Sequence, residues 1–355
     1  MNRNKKQCTV FIGALISLIW ATVVSAATYD TMVLFGDSLS DHGGLFNYVS
    51  PIVGEFNAET NPNGVRKVWS NGDVWAEYLA ETWDASLNNH AIAGAMTKGH
   101  ERQDVQDLVD QGFLPPLGVE GQIDSYLSSQ ADPLSDTALF IIWIGGNDLR
   151  VFSQGRSDAA NTEALIRTAA ASVAGSFEKL YAAGARNFLF INVPDLGKTP
   201  PALALGETVS QIASQLTSDF NTGLLDAVNA FSASHTDMVM HTYDAFAFLN
   251  DQIDAGIFAN STGTYLVLDA DWSDTGEVNE PAEDYLFWDA IHPTTRAHRL
   301  LADSLAEQIA PGSTDDDDDG SCFIQTVAAS GTTGSWVPVA ILISVGVSAA
   351  VRRRV

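Results

Sequence analysis

Three side chains in this sequence have the types and spacing needed for nucleophilic catalysis. Ser38 follows a short apolar run, while Asp289 and His292 lie three positions apart near the other end of the chain. A serine hydroxyl is a weak nucleophile until a base removes its proton, and an imidazole held by a carboxylate can be that base. Asp289 and His292 can share one loop, so the carboxylate could hold one tautomer of the imidazole. These residues predict acyl transfer through an acyl-enzyme on Ser38.

Attack by Ser38 on a carbonyl would create an oxyanion, and three hydrogen-bond donors could stabilise it. They are the backbone N–H groups of Ser38 and Gly94 and the side-chain amide of Asn147. Gly36 permits a sharp turn after the preceding strand, which would leave Ser38 near a helix start with backbone N–H groups pointing at it. One such donor typically contributes about 10²–10³ in turnover. The alternative is that Ser38 only caps the helix.

These residues can act together only if the fold brings them to one place. Five short apolar runs predict β-strands, at positions 31–35, 87–91, 138–144, 187–192 and 238–242. Amphipathic helix patterns separate several of them, and a last helix is expected over 293–309. This alternation predicts an α/β fold with a parallel sheet covered by helices on both faces. Since sites in such sheets lie beyond the carboxyl ends of the strands, Ser38, Gly94 and Asn147 are expected to converge at one edge.

The sequence blocks around these residues resemble those of the GDSL, or SGNH, family of esterases and lipases, and they occur in the family's order. Residues 35–41 resemble the first block, with the nucleophile at Ser38, and residues 89–95 resemble the second, whose glycine is Gly94 here. Residues 145–148 are similar to the third block, whose asparagine is Asn147, and residues 289–293 resemble the fifth block, with Asp289 and His292 as acid and base. The resemblance implies a flavodoxin-like three-layer α/β/α sandwich, and hydrolysis of carboxylic esters without a cofactor or a metal.

Three further stretches, 69–75, 192–197 and 287–289, resemble the lecithinase-like branch of this family, which favours fatty-acyl esters. One departure is the sequence His-Gly-Gly at 42–44, where the family often has Gly-Asn, so the first helical turn is expected to differ. The family also includes enzymes that deacetylate sugars, so an acetylesterase acting on acetylated polysaccharide is the alternative activity. A non-catalytic surface-binding module on the same scaffold is the alternative from another class. An aromatic-rich segment, 245–288, is expected either to line an acyl site or to pack as an insertion.

Composition and missing motifs disfavour several other classes of protein. Hydrophobic residues make up 46% of the 355 and the mean hydropathy is +0.03, as in folded globular proteins. The formal net charge of −26 argues against a nucleic-acid partner. The chain has no Gly-x-Ser-x-Gly elbow and no His-Glu-x-x-His metalloprotease signature. The stretch 269–280 begins like a calcium loop, but Asp274 stands where that loop requires glycine, so no metal is predicted.

The two ends of the chain are predicted to lie outside the hydrolase domain, which is assigned to 28–312. Residues 1–27 have the charged start, apolar stretch and small residues of a secretory signal peptide. Residues 313–335 form an acidic, small-residue linker with Cys322, and residues 336–355 a hydrophobic anchor with an Arg cluster. Loss of the signal peptide would also remove Cys8, which excludes an intrachain disulfide.

The C-terminal layout resembles bacterial sorting tails, although it lacks the Gly-Gly pair of rhombosortase-type tails. Together, these end segments predict export to the bacterial cell surface or outer envelope, or secretion after C-terminal processing. The expected partners are an ester or lipid substrate, the export and C-terminal processing machinery, and the membrane through the C-terminal tail. No nucleic-acid partner is expected.

Overall fold

The computed structural model describes residues 29–53 and 68–309. Its main sheet has five parallel strands: β1 (Thr31–Gly36), β2 (Ser86–Asn89), β3 (Leu139–Trp143), β4 (Asn187–Ile191) and β5 (Val239–Tyr243). Their order is β2-β1-β3-β4-β5, which is the flavodoxin-like doubly wound order. The predicted three-layer α/β/α fold is confirmed, and each predicted strand is present with bounds shifted by at most two residues. The predicted signal peptide and the predicted C-terminal linker and anchor lie outside the described residues.

Helices cover both faces of the sheet and account for the apolar runs of its central strands. The helices in chain order are α1 (Gly44–Val53), α2 (Trp75–Trp83), α3 (Gln103–Asp110), α4 (Val119–Ser128), α5 (Gly146–Ser153), α6 (Thr162–Ala182), α7 (Pro200–Ala204), α8 (Glu207–Ser234), α9 (Ala245–Asp254) and α10 (Thr295–Gln308). Successive strand residues point to opposite faces, so Phe35 packs with α4, α6 and α8 in one core, while Leu34 packs with α2 and α10 in the other. Both cores are dominated by large apolar side chains, as expected for a sheet without a solvent face.

The aromatic-rich segment 245–288 forms α9 and two small two-stranded sheets beside the main one. In one, β6 (Asn260–Thr264) pairs with β9 (Tyr285–Phe287), and in the other β7 (Leu266–Leu268) pairs with β8 (Asp274–Val278). Four of its aromatic side chains are buried in two satellite clusters: Phe258, Tyr265, Phe287 and Trp288. Their burial favours the packing interpretation of this segment. Within 29–53 and 68–309, no helix is both long enough and apolar enough to cross a bilayer.

Candidate active site

In the main sheet β2 lies on one side of β1, while β3, β4 and β5 follow on the other side. The crevice between the carboxyl ends of β1 and β3 therefore lies at the topological switch point. Ser38 follows β1 directly, and Asn147 begins the first turn of α5 after β3. The carboxyl ends of these neighbouring strands are in register, with Gly36 opposite Trp143. The fold therefore places two of the predicted site residues where open α/β sheets bind their ligands.

Ser38, His292 and Asp289 form a continuous chain of hydrogen-bonded side chains. His292 Nε2 lies 2.8 Å from Ser38 Oγ, and His292 Nδ1 lies 2.7 Å from Asp289 Oδ2. Ser38 and His292 are both buried, with 8% and 6% of their surface exposed, which leaves a narrow approach to the hydroxyl. In this arrangement the carboxylate can hold the Nδ1–H tautomer, so that Nε2 faces the serine as a proton acceptor.

Asp289 is held in its ionised form by its surroundings. Its Oδ1 accepts hydrogen bonds from the backbone N–H groups of Ile291 and His292, at 2.9 and 2.7 Å. Burial alone would raise the pKa of Asp289, but the charge of His292 and these hydrogen bonds outweigh it and hold the pKa below its usual value. The carboxylate therefore remains available to stabilise an imidazolium.

The loop that carries the acid and the base is fixed at both of its ends. Trp288 N–H donates to the backbone oxygen of His292 at 2.8 Å, which closes a tight loop. Ser70 Oγ donates to the Pro293 oxygen at 3.0 Å, and the Trp69 ring lies 5.2 Å from the His292 ring. The segment around Trp69 thus positions His292, a contact that sequence reasoning missed. Its resemblance to the lecithinase-like branch was the signal, but that resemblance did not indicate which residues it contacts.

The predicted oxyanion donors Ser38, Gly94 and Asn147 lie on three segments, which follow β1, β2 and β3. Asn147 Nδ2 donates to the Ala95 oxygen at 2.9 Å, next to Gly94, and its second amide hydrogen has no acceptor among the described residues. Gly94 has φ +81°, a conformation that favours glycine. Neither Gly94 N–H nor Ser38 N–H donates a hydrogen bond within the described part of the chain. These three groups are therefore free to donate to a bound oxyanion.

Asp41 links the segment that carries Ser38 to the segment that carries Gly94. Its carboxylate accepts the backbone N–H groups of Leu45 at 3.2 Å and Ala93 at 2.7 Å, and also those of both glycines at 43–44. The helix after β1 begins at Gly44, so Ser38 lies in a turn six residues before the helix start near which it was expected. A Cβ on Gly44 would lie 2.5 Å from the Ala91 oxygen, so the close approach of the two backbone segments requires glycine there.

Two further carboxyl groups near the site, those of Asp37 and Asp148, are buried and have raised pKa values. Burial raises the pKa of Asp37 to about 7, although Leu39 N–H donates to it at 3.0 Å. Burial likewise raises the pKa of Asp148 to about 6, although it accepts both the N–H and the Oγ1–H of Thr97. The field of Asp148 and that of Glu101, which forms an ion pair with Arg150, contribute to the shift at Asp37.

The histidines outside the triad are packed rather than arranged as ligands. The His90 ring stacks on Phe35 at 5.4 Å and lies 5.0 Å from the Tyr126 ring. His298 is fully buried in α10, and burial lowers its pKa to about 3, so it is neutral. Across 29–53 and 68–309, no group of three or more His, Cys, Asp or Glu side chains could hold a metal ion.

Comparison with protein families supports an ester-hydrolysing site. The family described as GDSL-like Lipase/Acylhydrolase matches residues 32–305, which include every predicted site residue. This match extends over more than half of the chain and includes residues from all five strands of the main sheet.

Individual relatives carry several different names. The chain is 27% identical over 294 residues to the thermolabile hemolysin of Vibrio parahaemolyticus, covering 78% of this chain and 63% of the hemolysin. It is 22% identical to the phosphatidylcholine-sterol acyltransferase of Aeromonas hydrophila, covering 85% of this chain and 96% of that protein. It is 26% identical to an acetylesterase of Thermothelomyces thermophilus, covering 78% and 87% of the two chains. The chain thus spans less than two thirds of the hemolysin's length.

Proposed function

The chain belongs to the GDSL-like lipase/acylhydrolase family, and from this premise we propose that it is a serine esterase acting through an acyl-enzyme on Ser38. The observation that carries the proposal is the continuous hydrogen-bonded chain from Ser38 Oγ through His292 to Asp289. A serine, an imidazole and a carboxylate at these distances form the constellation used for acyl transfer on several unrelated folds.

The first half-reaction forms the acyl-enzyme. Ser38 Oγ attacks the carbonyl carbon of the ester while its proton moves to His292 Nε2, and Asp289 stabilises the resulting imidazolium. The tetrahedral oxyanion accepts hydrogen bonds from the backbone N–H groups of Ser38 and Gly94 and from the amide of Asn147. When the intermediate collapses, the C–O bond to the alcohol breaks and His292 gives the alcohol its proton.

The second half-reaction releases the acid. A water molecule loses a proton to His292 Nε2 and attacks the ester carbon on Ser38. The second tetrahedral intermediate uses the same donors, and its collapse returns the proton to Ser38 Oγ. The products are the free carboxylic acid and the unmodified enzyme, so no cofactor is consumed.

Replacement of Ser38 tests this proposal directly. We expect Ser38→Ala to lose at least about 10³ in kcat on p-nitrophenyl esters, because the nucleophile is removed. Treatment of the wild-type protein with a fluorophosphonate should label Ser38, identified by mass spectrometry of the peptide. Unchanged hydrolysis by a folded Ser38→Ala protein, or labelling only at another serine, would contradict the acyl-enzyme.

The substrate class is proposed to be fatty-acyl esters, with acetyl esters of polysaccharide as the second candidate. The first rests on the sequence stretches of the lecithinase-like type and the second on the acetylesterase relative. Kinetics on p-nitrophenyl esters from acetyl to palmitoyl, together with acetate release from acetylated xylan, separate the two. Higher kcat/KM on longer chains supports the first, and acetate release with poor activity on long chains supports the second.

Export of the enzyme is part of the same proposal and rests on the pattern of residues 1–27. The hydrolase domain at 28–312 would then act outside the cytoplasm, and residues 313–355 would be processed or would hold the protein at the membrane. Deletion of 320–355 should leave the specific activity unchanged and release the protein into the medium. Continued attachment of the truncated protein to cells would contradict an anchor in this segment.

A further inference from the structure

An ion pair between Glu101 and Arg150 connects the segment that carries Gly94 to α5, the helix that carries Asn147. Arg150 Nη2 donates to Glu101 Oε2, and only 13% of the Arg150 side chain and 11% of the Glu101 side chain are exposed. Neither residue takes part in the proposed reaction steps. A largely buried pair is screened by salt much less than a surface pair, so it can hold two segments together.

Glu101 lies directly against Gly94. Its backbone N–H donates to the Gly94 oxygen at 2.8 Å, which closes the loop formed by residues 94–101. A Cβ on Gly94 would lie 3.2 Å from Glu101 Cγ, so the Glu101 side chain also packs against this glycine. A displacement of Glu101 would therefore move Gly94 and the N–H that it offers to the oxyanion.

Arg150 lies on α5 three positions after Asn147, so one rigid helix carries both the guanidinium and the side-chain amide. Asn147 and the residue after it contact the first half of the loop, at 95–97. Arg150 instead contacts the last residue of the loop, Glu101. Contacts at both ends of the loop fix its orientation against α5 as well as its distance, and one end alone would let the loop turn.

The charge of Arg150 has a second effect, because Glu101 lies near other acidic groups. The charge of Glu101 contributes to raising the pKa of Asp37, the residue before Ser38. A buried carboxylate without a counter-charge would oppose the formation of an oxyanion beside Gly94. A test of the ion pair must therefore separate the loss of a fixed contact from the exposure of an unpaired charge.

We propose that Glu101 and Arg150 are a positioning pair that holds the Gly94 N–H in place relative to the Asn147 amide during turnover. The inference rests on the proposed function, because it concerns the oxyanion donors of the same reaction. A displacement of about 1 Å in a reacting geometry can cost about 10² in rate. Breaking the pair should lower kcat and leave KM nearly unchanged, because the donors act mainly in the transition state.

Replacing Arg150 tests the pair with a matched control. On p-nitrophenyl acetate, Arg150→Met should lower kcat by at least about tenfold and change KM by less than about threefold. Arg150→Lys should lose less kcat than Arg150→Met, because an ammonium group can still pair with the carboxylate. Arg186→Met breaks the ion pair with Asp237 at the opposite edge of the sheet, before β4, and should leave kcat unchanged.

The double variant Glu101→Gln/Arg150→Met separates positioning from the effect of an unpaired charge. It removes both charges, so its melting temperature should be closer to wild type than that of Arg150→Met, and it keeps the test decisive if Arg150→Met fails to fold. The contact is still missing, so kcat should stay at least about tenfold below wild type. Recovery of kcat in the double variant would overturn the proposal, since the loss would then come from the unpaired carboxylate.

Amide hydrogen exchange provides a readout that does not depend on turnover. The peptide spanning 94–102 includes the Glu101 N–H that is bonded within the loop, and it should exchange faster in the double variant than in wild type or Arg186→Met. Unchanged exchange in this peptide, or faster exchange with wild-type kcat, would overturn the proposal. Absence of Ser38-dependent hydrolysis in the wild type would instead count against the esterase proposal, and the exchange measurement would still decide whether the ion pair holds the loop.

Discussion

The side-chain amide of Asn147 donates to the backbone oxygen of Ala95 at 2.9 Å, and this bond ties the start of α5 to the segment that carries Gly94. The next residue, Asp148, strengthens the connection by accepting the N–H and the Oγ1–H of Thr97 at 2.9 and 2.6 Å. An amide nitrogen carries two hydrogens, so Asn147 can hold the segment and still donate to an oxyanion. The proposed oxyanion donors are therefore positioned before a substrate arrives, which is the condition for strong electrostatic stabilisation.

Replacing Asn147 by alanine should lower kcat by about 10²–10³ with little change in KM, because its hydrogen bond to the oxyanion forms in the transition state. Steady-state kinetics on a p-nitrophenyl ester measure this. Thr97→Val is the control, since it removes the Thr97 Oγ1 bond to Asp148 and loosens the same connection but keeps every oxyanion donor. Equal losses in both variants would assign Asn147 a structural role only.

Replacing Asp289 by asparagine should lower kcat by about 10³–10⁴ near neutral pH, because the amide can favour the wrong tautomer of His292 and cannot stabilise the imidazolium. The change keeps the size of the side chain, so the melting temperature should fall far less than the activity. Glu283→Gln, on the exposed surface nearby, makes the same charge change outside the hydrogen-bonded chain. If Asp289→Asn retained more than a tenth of the wild-type kcat, the assigned role of Asp289 would be wrong.

Asp37 should make the stability of the protein fall as the pH rises. Burial raises the pKa of Asp37 in the folded state from 3.8 to about 7, so the folded protein binds this proton more tightly than the unfolded chain. The contribution is fully present below pH 3.8 and is lost as the pH approaches 7. In urea unfolding at pH 5 and pH 8, Asp37→Asn should lose less free energy of unfolding between the two than wild type. The exposed Asp132→Asn is the control, and an identical pH dependence in wild type and Asp37→Asn would refute the prediction.

Gly94→Ala should damage both stability and turnover, whereas Gly112→Ala should affect stability alone. Both glycines have positive φ, at +81° and +76°, so either alanine costs about 1–2 kcal/mol in backbone strain. A Cβ at Gly94 would in addition lie 2.6 Å from the His100 ring, while a Cβ at Gly112 meets nothing within 4 Å. Thermal unfolding and kcat are measured on both variants. A Gly94→Ala protein with normal kcat would show that turnover does not depend on the exact backbone geometry at this N–H.

Much of the architecture could be predicted because its signals are local. A strand covered on both faces requires a continuous apolar run, and such runs at β1, β3 and β4 are easy to recognise. The motifs at 36–39 and 289–292 likewise place a nucleophile, an acid and a base within short stretches. The start of α1 was not predictable in this way. The Asp41 carboxylate accepts hydrogen bonds from the start of that helix and also from Ala93 N–H, 52 positions away. The sequence around Ser38 does not indicate that contact.

The sequence by itself determined which side chains are available for chemistry. It also determined that the residues that directly follow the parallel strands lie at one edge of the sheet, and that Asp289 and His292 share a loop. Only the tertiary structure decided that Ser38 and His292, 254 positions apart, meet at 2.8 Å. That contact depends on α10 packing beside α2 on the sheet and on Ser70 bonding to the loop at Pro293, since these interactions fix where the loop lies.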